Sequence, residues 1–364
     1  MSGPGLTDDE NMLAHASMAF ASSLGQSDNE TIWQQLIEHG WIGTLAHTAD
    51  GGTGGSPMDL LLLAQSLGHY SVSAPFLAFA AATVSLLSDT ASPLRSEWLA
   101  GHLDGTALIA TAWLETSGDP LGHRVATVLK DAGSHFVLNG AKRMVLGGSV
   151  ASALIVSATE QRAGAQSMRL VMVSLRARGV SLTPYRLVDG SSAADVTFDH
   201  VELPIEAIVA ADRAPQLLGR ALDTAIIAAL GEAIGCLDAA QGQTIDYVTT
   251  RRQFGAPLAA LQVVRHRIAD MYIAVEQLRS LGLAAPRAWQ TSDRAVALHS
   301  AKIHLGREGV WAAEQAIQLH GAMGVTEDCN IGQHLKRIIV LDRLFGSADY
   351  HAAQFEKLLL PTTG

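Results

Sequence analysis

Two stretches of the chain gather side chains suited to holding a phosphate-bearing ligand. In "YVTTRRQFGAPLAALQ", Tyr247 to Gln262, the pair Arg251 and Arg252 precedes Phe254 and Gly255, and the amide of Gln262 closes the run. In "QLHGAMGVTED", Gln318 to Asp328, Gln318 is followed by Gly321 and Gly324. A guanidinium offers phosphate oxygens a planar, permanently charged fork, and glycine lets a ligand approach the backbone with no Cβ in the way. Each stretch alone has a plainer reading, with the arginines at a solvated helix end and Phe254 as a core aromatic, because short motifs recur by chance. A third stretch, "RIIVLDRLFGSADYHAAQ" from Arg337 to Gln354, sets Phe345-Gly346-Ser347 between the carboxylates Asp342 and Asp349. The 14 histidines form no His-x-x-x-His or Glu-x-x-His pair in a ligand-like setting, so no metal site is expected.

Helices must position these residues. After Ala211 the apolar period is helical and long: Leu222, Ala225, Ile226, Ala229, Leu230, Ala233, Ile234 and Leu237 mark one stripe. Ile268, Met271, Val275 and Leu278 mark a second, and Ile303, Gly306, Val310, Ala313 and Ile317 a third. Before Thr106 the pattern is also helical, with Asp28 or Ser27 capping one helix that stops at Gly40 and Ser56 capping another that stops at Gly68. Between the two lie short β-rich runs such as "ALIATAWLE", "RVATVLKD", "HFVLNG", "SALIVSAT", "MRLVMVSL" and "ADVTFDHVELP", with "KDAGSH" and "NGAK" expected as turns.

A chain of 364 residues with 48% hydrophobic and 16% charged content buries a large core or several smaller ones. Its net charge of -10, with no clustered Lys and Arg, argues against a nucleic-acid or anionic-membrane surface. The most apolar run, "FLAFAAATVSLL" from Phe76, is too short to span a bilayer, and "MSGPGLTDDENML" does not read as a signal peptide. Two cysteines, Cys236 and Cys329, fit a reducing cytoplasm.

Taken together, "YVTTRRQFGAPLAALQVVRHRIADM", "QLHGAMGVTED", "FDHVELP" and "LNGAKRMVLGG" resemble, in order, motifs of the acyl-CoA dehydrogenase family. The resemblance implies an α+β, multi-domain fold: an N-terminal helical domain over 1–105, a middle β-barrel-like domain over 106–211, and a C-terminal four-helix bundle over 212–364. It also implies FAD as cofactor, with Arg251, Phe254, Gln262, Gln318, Gly321 and Gly324 on the dinucleotide.

Other family positions depart from the pattern. The family's Thr-Glu-Pro-x-Ala-Gly-Ser-Asp loop aligns with "LETSGDPL", where only Glu115 matches, and its Lys-x-Trp-Ile-Thr strand aligns with "KRMVL", which puts Met144 and Leu146 in place of an aromatic and a hydroxyl. The two family positions for the catalytic base hold Gly346 and Ala225, a flavin-binding Thr is replaced by Ala348, and a CoA-binding Arg by Ile226. The chain keeps what this family gives to a neighbouring subunit and loses what it would use itself. The resemblance therefore implies the degenerate partner in an α2β2 acyl-CoA dehydrogenase of the steroid-CoA type, with acyl-CoA bound mainly by a homologous catalytic subunit. Two alternatives stay open: a self-sufficient dehydrogenase with a displaced base at Asp223, Asp342 or Asp349, and a flavin-free binding or scaffolding protein. A Glu at position 346 is expected to be tolerated unless the backbone there needs positive φ.

Overall fold

The computed structural model describes residues 5–24, 28–72, 74–115, 119–162, 165–253, 255–326 and 329–360. Phe254 lies outside the described residues. A helical N-terminal region, a central sheet and a C-terminal helical region follow one another along the chain, as the periodicity predicts. By contact the chain divides into two units, one of residues 1–27, 57–73 and 226–364, the other of 28–56 and 74–225.

The N-terminal helices are α1 (Asp8–Leu24), α2 (Asn29–Glu38), α3 (Pro57–His69), α4 (Val84–Asp89) and α5 (Arg95–Leu103), with a π-helical segment, Leu77–Thr83, leading into α4. Asp28 caps α2 by accepting from the Thr31 amide at 2.8 Å, as its residue type foretells. The apolar Leu77–Thr83 run is buried throughout. Among the described residues no helix is long and apolar enough to cross a membrane. The Phe79 carbonyl in this segment meets His102 Nε2 at 3.2 Å, and His102 Nδ1 accepts from the Ile109 amide at 3.1 Å. Burial lowers the His102 imidazole to about 4, so it stays neutral with its hydrogen on Nε2.

The sheet contains β1 (Ile109–Ala112), β2 (Val128–Asp131), β3 (Phe136–Leu146), β4 (Ala153–Arg162), β5 (Ala165–Ser174), β6 (Val180–Arg186), β7 (Ser192–Leu203) and β8 (Ile208–Ala210). Its order is β6-β7-β3-β2-β4-β5-β8, with β1 paired to β4. β4 has β5 along one edge, while β1 and β2 run parallel to it in succession along the other, β1 against Ala153–Val156 and β2 against Thr159 and Glu160. "NGAK" is not a turn: it lies inside β3, where the pairing with β7 shifts register between Leu138 and Gly140. β6 carries Pro184 and a mostly exposed face on the sheet's edge, a composition that sequence reading demotes.

The C-terminal region holds α6 (Ala214–Thr250), a small hairpin of β9 (Arg252–Gln253) and β10 (Ala256–Pro257), α7 (Gln262–Arg287), α8 (Arg294–His304), α9 (Val310–His320), α10 (Asn330–Arg343) and α11 (Ala348–Leu359). A π-helical segment, Leu305–Gly309, joins α8 to α9. Its wider turn slips the helical period, so the buried positions become Leu305, Gly309, Ala312, Ala313 and Ala316 rather than a stripe through Gly306 and Val310.

Gly68 does not end α3. It belongs to a seam in which α3 and α6 meet backbone to backbone: a Cβ on Gly68 would overlap the Glu232 carbonyl, one on Gly231 the Leu61 carbonyl, and one on Gly235 the Gln65 carbonyl. Gly242, further along α6, has open space around it. In a free helix Gly→Ala stabilises by about 1 kcal/mol. Gly242→Ala is expected to follow that rule and raise the melting temperature. Gly235→Ala is expected to lower it, because overpacking costs about 1–3 kcal/mol; thermal denaturation of the two variants reads the sign directly.

Candidate functional site

The two glycine- and arginine-bearing turns converge at the ends of α6 and α9. Tyr247, in the last turns of α6, stacks on His320 at the end of α9, with centroids 4.4 Å apart and planes 21° from parallel. The Tyr247 hydroxyl also reaches Met323 Sδ at 4.0 Å. Beneath the stack, Ala240, Met271, Ala316 and Ile331 form a buried cluster from α6, α7, α9 and α10. The chain then leaves α6 at Arg251, whose carbonyl accepts from the Leu258 amide at 2.9 Å across the β9–β10 hairpin.

On this base Arg251, Gln262, Gln318 and Gly321 are all exposed, and Gly324 is buried. Gly321 has φ of 62° and nothing within 4 Å of its missing Cβ, whereas a Cβ on Gly324 would lie 3.0 Å from the Ile317 carbonyl oxygen. So Gly321 leaves a surface that a ligand can approach, and Gly324 is small for the sake of the turn. An exposed guanidinium and an exposed glycine backbone are each suited to the phosphate end of a dinucleotide. The stack that joins the two turns was not singled out from sequence, although Tyr247 sits one helical turn before Arg251.

A second cluster lies in the sheet. Lys142 on β3 is wholly buried, and its Nζ donates to Glu115 Oε1 at 2.6 Å, Ser157 Oγ at 2.9 Å and the Trp113 carbonyl at 3.4 Å. Glu115 in turn accepts from the backbone amides of Ala126 at 2.6 Å and Thr127 at 3.0 Å. Burial would raise the Glu115 carboxyl, but the Lys142 ammonium and these donors outweigh it and hold it below its ordinary value. Burial lowers the Lys142 ammonium to about 8 against the pull of Glu115. Glu115 is thus occupied by structure.

Two residues further along β3, Met144 has φ of 46° at a second register shift, with its amide donating to Asp195 Oδ1 at 3.0 Å. Leu146 is buried and apolar and offers no hydrogen bond to a flavin ring.

Neither base position holds a carboxylate. Ala225 and Ile226 are fully buried on α6. Gly346 sits between α10 and α11 with φ of 103°, and a Cβ there would meet Tyr350 Cδ1 at 2.6 Å and His351 Nε2 at 3.0 Å. The condition attached to Glu at this position therefore fails. Of the displaced carboxylates, Asp342 is buried, accepts from the Ala348 amide at 3.2 Å and is ion-paired with Arg343 Nε at 3.2 Å. Asp349 is exposed in the first turn of α11, where an acidic side chain favours the helix dipole. Among the described residues no group of three or more His, Cys, Asp or Glu could hold a metal ion.

Residues 209–360 match the model for the acyl-CoA dehydrogenase C-terminal domain. Acyl-CoA dehydrogenase FadE12 of Mycobacterium tuberculosis is 27% identical over 322 residues, covering 82% of this chain and 80% of its own. Over its C-terminal region the chain matches the acyl-CoA dehydrogenase family, and over most of its length it is similar to a member of that family. Solved structures share the fold: a Tcur3481-Tcur3483 steroid ACAD variant at 24% identity and TM-score 0.84, covering 97% of this chain and 98% of that one. The ChsE4-ChsE5 complex from Mycobacterium tuberculosis follows at 19% and 0.87, covering 99% of each. Butyryl-CoA dehydrogenase from Megasphaera elsdenii has 20% identity and TM-score 0.87, covering 98% of this chain and 99% of its own.

The buried Lys142–Glu115 pair and the Gly346 turn make separable predictions. Glu115→Ala leaves a buried ammonium without its carboxylate and is expected to cost roughly 3–5 kcal/mol, seen as a lower urea midpoint. Gly346→Glu combines positive φ with overlap on two rings and is expected to destabilise by at least about 1–3 kcal/mol. The same unfolding measurement tests it, and a Glu variant as stable as the parent would contradict the geometry.

Proposed function

We propose that this chain is the non-catalytic subunit of an FAD-dependent acyl-CoA dehydrogenase, paired as α2β2 with a homologous catalytic chain. The observation that carries the reading is an asymmetry. Arg251, Gln262, Gln318 and Gly321, which suit the dinucleotide, stand exposed, whereas Met144, Leu146, Ala225, Ile226 and Gly346, which would serve chemistry in the chain itself, are apolar, buried or closed. Arg251 would hold phosphate oxygens, the Gly321 backbone would let the dinucleotide approach, and Gln262 and Gln318 would offer amides to its polar atoms.

FAD, when bound, supplies hydride acceptance for the α,β-desaturation of a CoA thioester. The α-proton would go to a carboxylate of the partner subunit, since Gly346 and Ala225 have none to offer. Ring binding fits this chain poorly, because Leu146 presents no donor. Two of the structures that share the fold are the Tcur3481-Tcur3483 steroid ACAD variant and the ChsE4-ChsE5 complex, which supports a steroid-derived acyl group and a heteromeric partner. A displaced base is the weaker reading, because the Asp342 carboxylate is engaged by the α11 amide and Arg343.

The chain purified alone is expected to hold little FAD and to turn over no CoA thioester. Co-purification with the product of a neighbouring acyl-CoA dehydrogenase-like reading frame is expected to yield a yellow, active complex. In that complex Arg251→Ala is expected to weaken flavin retention by about 1.5–3 kcal/mol, roughly ten- to a hundredfold. Stoichiometric flavin and activity in the isolated chain would overturn the proposal.

A further inference from the structure

At the corner where α10 ends and α11 begins, two residues of α8 reach the backbone. Lys302 is wholly buried, and its Nζ donates to the carbonyls of Leu341 at 2.7 Å, Asp342 at 2.9 Å and Leu344 at 2.9 Å. These belong to the end of α10, where carbonyls lack intrahelical donors. Three residues before it on α8, His299 Nδ1 lies 2.7 Å from Nδ1 of His351 on α11. His351 Nε2 in turn lies 3.0 Å from the Phe345 carbonyl oxygen.

Chemistry fixes the hydrogens in this chain. A carbonyl can only accept, so Nε2 of His351 carries its hydrogen. Neutral His351 then has a lone pair on Nδ1, and Nδ1 of His299 must donate to it. A second proton on His351 would set N–H against N–H and break the contact, whereas a proton added to His299 at Nε2 would not.

We propose that His299 and His351 form an acid-opened latch that holds the Leu344–Ser347 turn and α11 against α8. The turn is worth latching because Phe345, with φ of 61°, and Gly346, with φ of 103°, both lie in the left-handed region, and Phe345 is buried. Opening the corner relaxes that backbone and exposes His351 to water.

The surrounding charges act in one direction. Burial lowers the His351 imidazole to about 3, with the Lys302 ammonium and His299 adding to the effect. Burial also lowers His299, and it lowers Lys302 to about 7 against the pull of the Asp342 carboxylate. From α10, Asp342 is turned to the Ala348 amide and Arg343. On α11 the Tyr350 ring meets His351 edge-on at 5.4 Å and Asp349 is exposed, and Arg307 and Glu308 of the joining π-segment are exposed too. From α7, packed on α8, the contact is the Ala274 carbonyl with His304 Nε2 at 2.9 Å. Among the described residues no carboxylate is paired with either imidazole of the latch.

The sign follows from linkage. A latched His351 cannot take up a proton near neutrality, whereas an exposed one does so at about pH 6.5. The open state therefore binds more protons below that value, and acid favours opening, by about 30-fold near pH 5 for one such group.

Hydrogen–deuterium exchange on the full chain at about pH 7.5 and about pH 5, corrected for intrinsic rates, tests the latch. Amides of residues 344–359 are expected to gain about 30-fold at the lower pH while those of α7 do not. His351→Gln preserves the polarity, its carbonyl accepting from His299 and its amide donating to Phe345, but cannot titrate, so it is expected to lose most of the acid response, the remainder coming from His299 and Lys302. An equal acid response in His351→Gln, or none in the parent, overturns the proposal. Should that variant not fold, imidazole 15N shifts of the parent decide: a hydrogen on Nε2 of His351 and on Nδ1 of His299 is expected, and the reverse order sinks it.

Discussion

A buried ammonium is costly unless every one of its hydrogens finds an acceptor, and the central sheet spends its largest polar commitment on Lys142. On one edge of β4 the neighbour changes from β1 to β2, leaving Ser157 and Ala158 between the paired segments. Lys142 fills that discontinuity, joining the Trp113 carbonyl and Glu115 after β1 to Ser157 on β4. Glu115 continues the connection to the amides that lead into β2. Two parallel strands are thereby registered against β4 by side chains where main-chain pairing lapses. Strands that start in the wrong register would strand the ammonium, so the pair specifies the sheet as well as stabilising it.

Lys302 solves a related problem in the C-terminal helices without a hydrogen-bonded carboxylate, ending α10 on three carbonyls. The turn that follows is then committed to left-handed backbone at Phe345 and Gly346. A carboxylate at this turn would therefore take more than one substitution. The backbone is left-handed at 346, and the Tyr350 ring and His351 occupy the room that a side chain there would need.

Much of this was legible in the sequence. Apolar periods foretold α6 and α7, Asp28 foretold the cap of α2, and the β-rich runs foretold most strands, because each depends on local spacing. What escaped depended on distant partners. Gly68 looks like a stop in isolation and is a packing seam only because Glu232 lies against it. "NGAK" has turn composition, yet its partner β7 draws it into a bulged strand. Glu115 reads as the remnant of a lost loop until Lys142, on another strand, shows its use. In the candidate site, the exposed Arg251, Gln262, Gln318 and Gly321 were visible as motifs, whereas the Tyr247–His320 stack joins two stretches that no spacing rule connects.

The glycine seam between α3 and α6 also bears on how the protein is made. Residues 57–73 belong to a unit whose larger part begins at residue 226, and their fit to α6 is backbone against backbone, with no flexible side chain to accept a substitute. During synthesis α3 emerges long before α6 does, and at roughly 5–20 residues per second the wait is on the order of ten seconds or more. For that interval α3 can pack on α1, already made, but the face that carries Gly68 has no α6 to meet it. How long that glycine face waits for its partner is thus set by the order of the segments along the chain rather than by the stability of the finished fold.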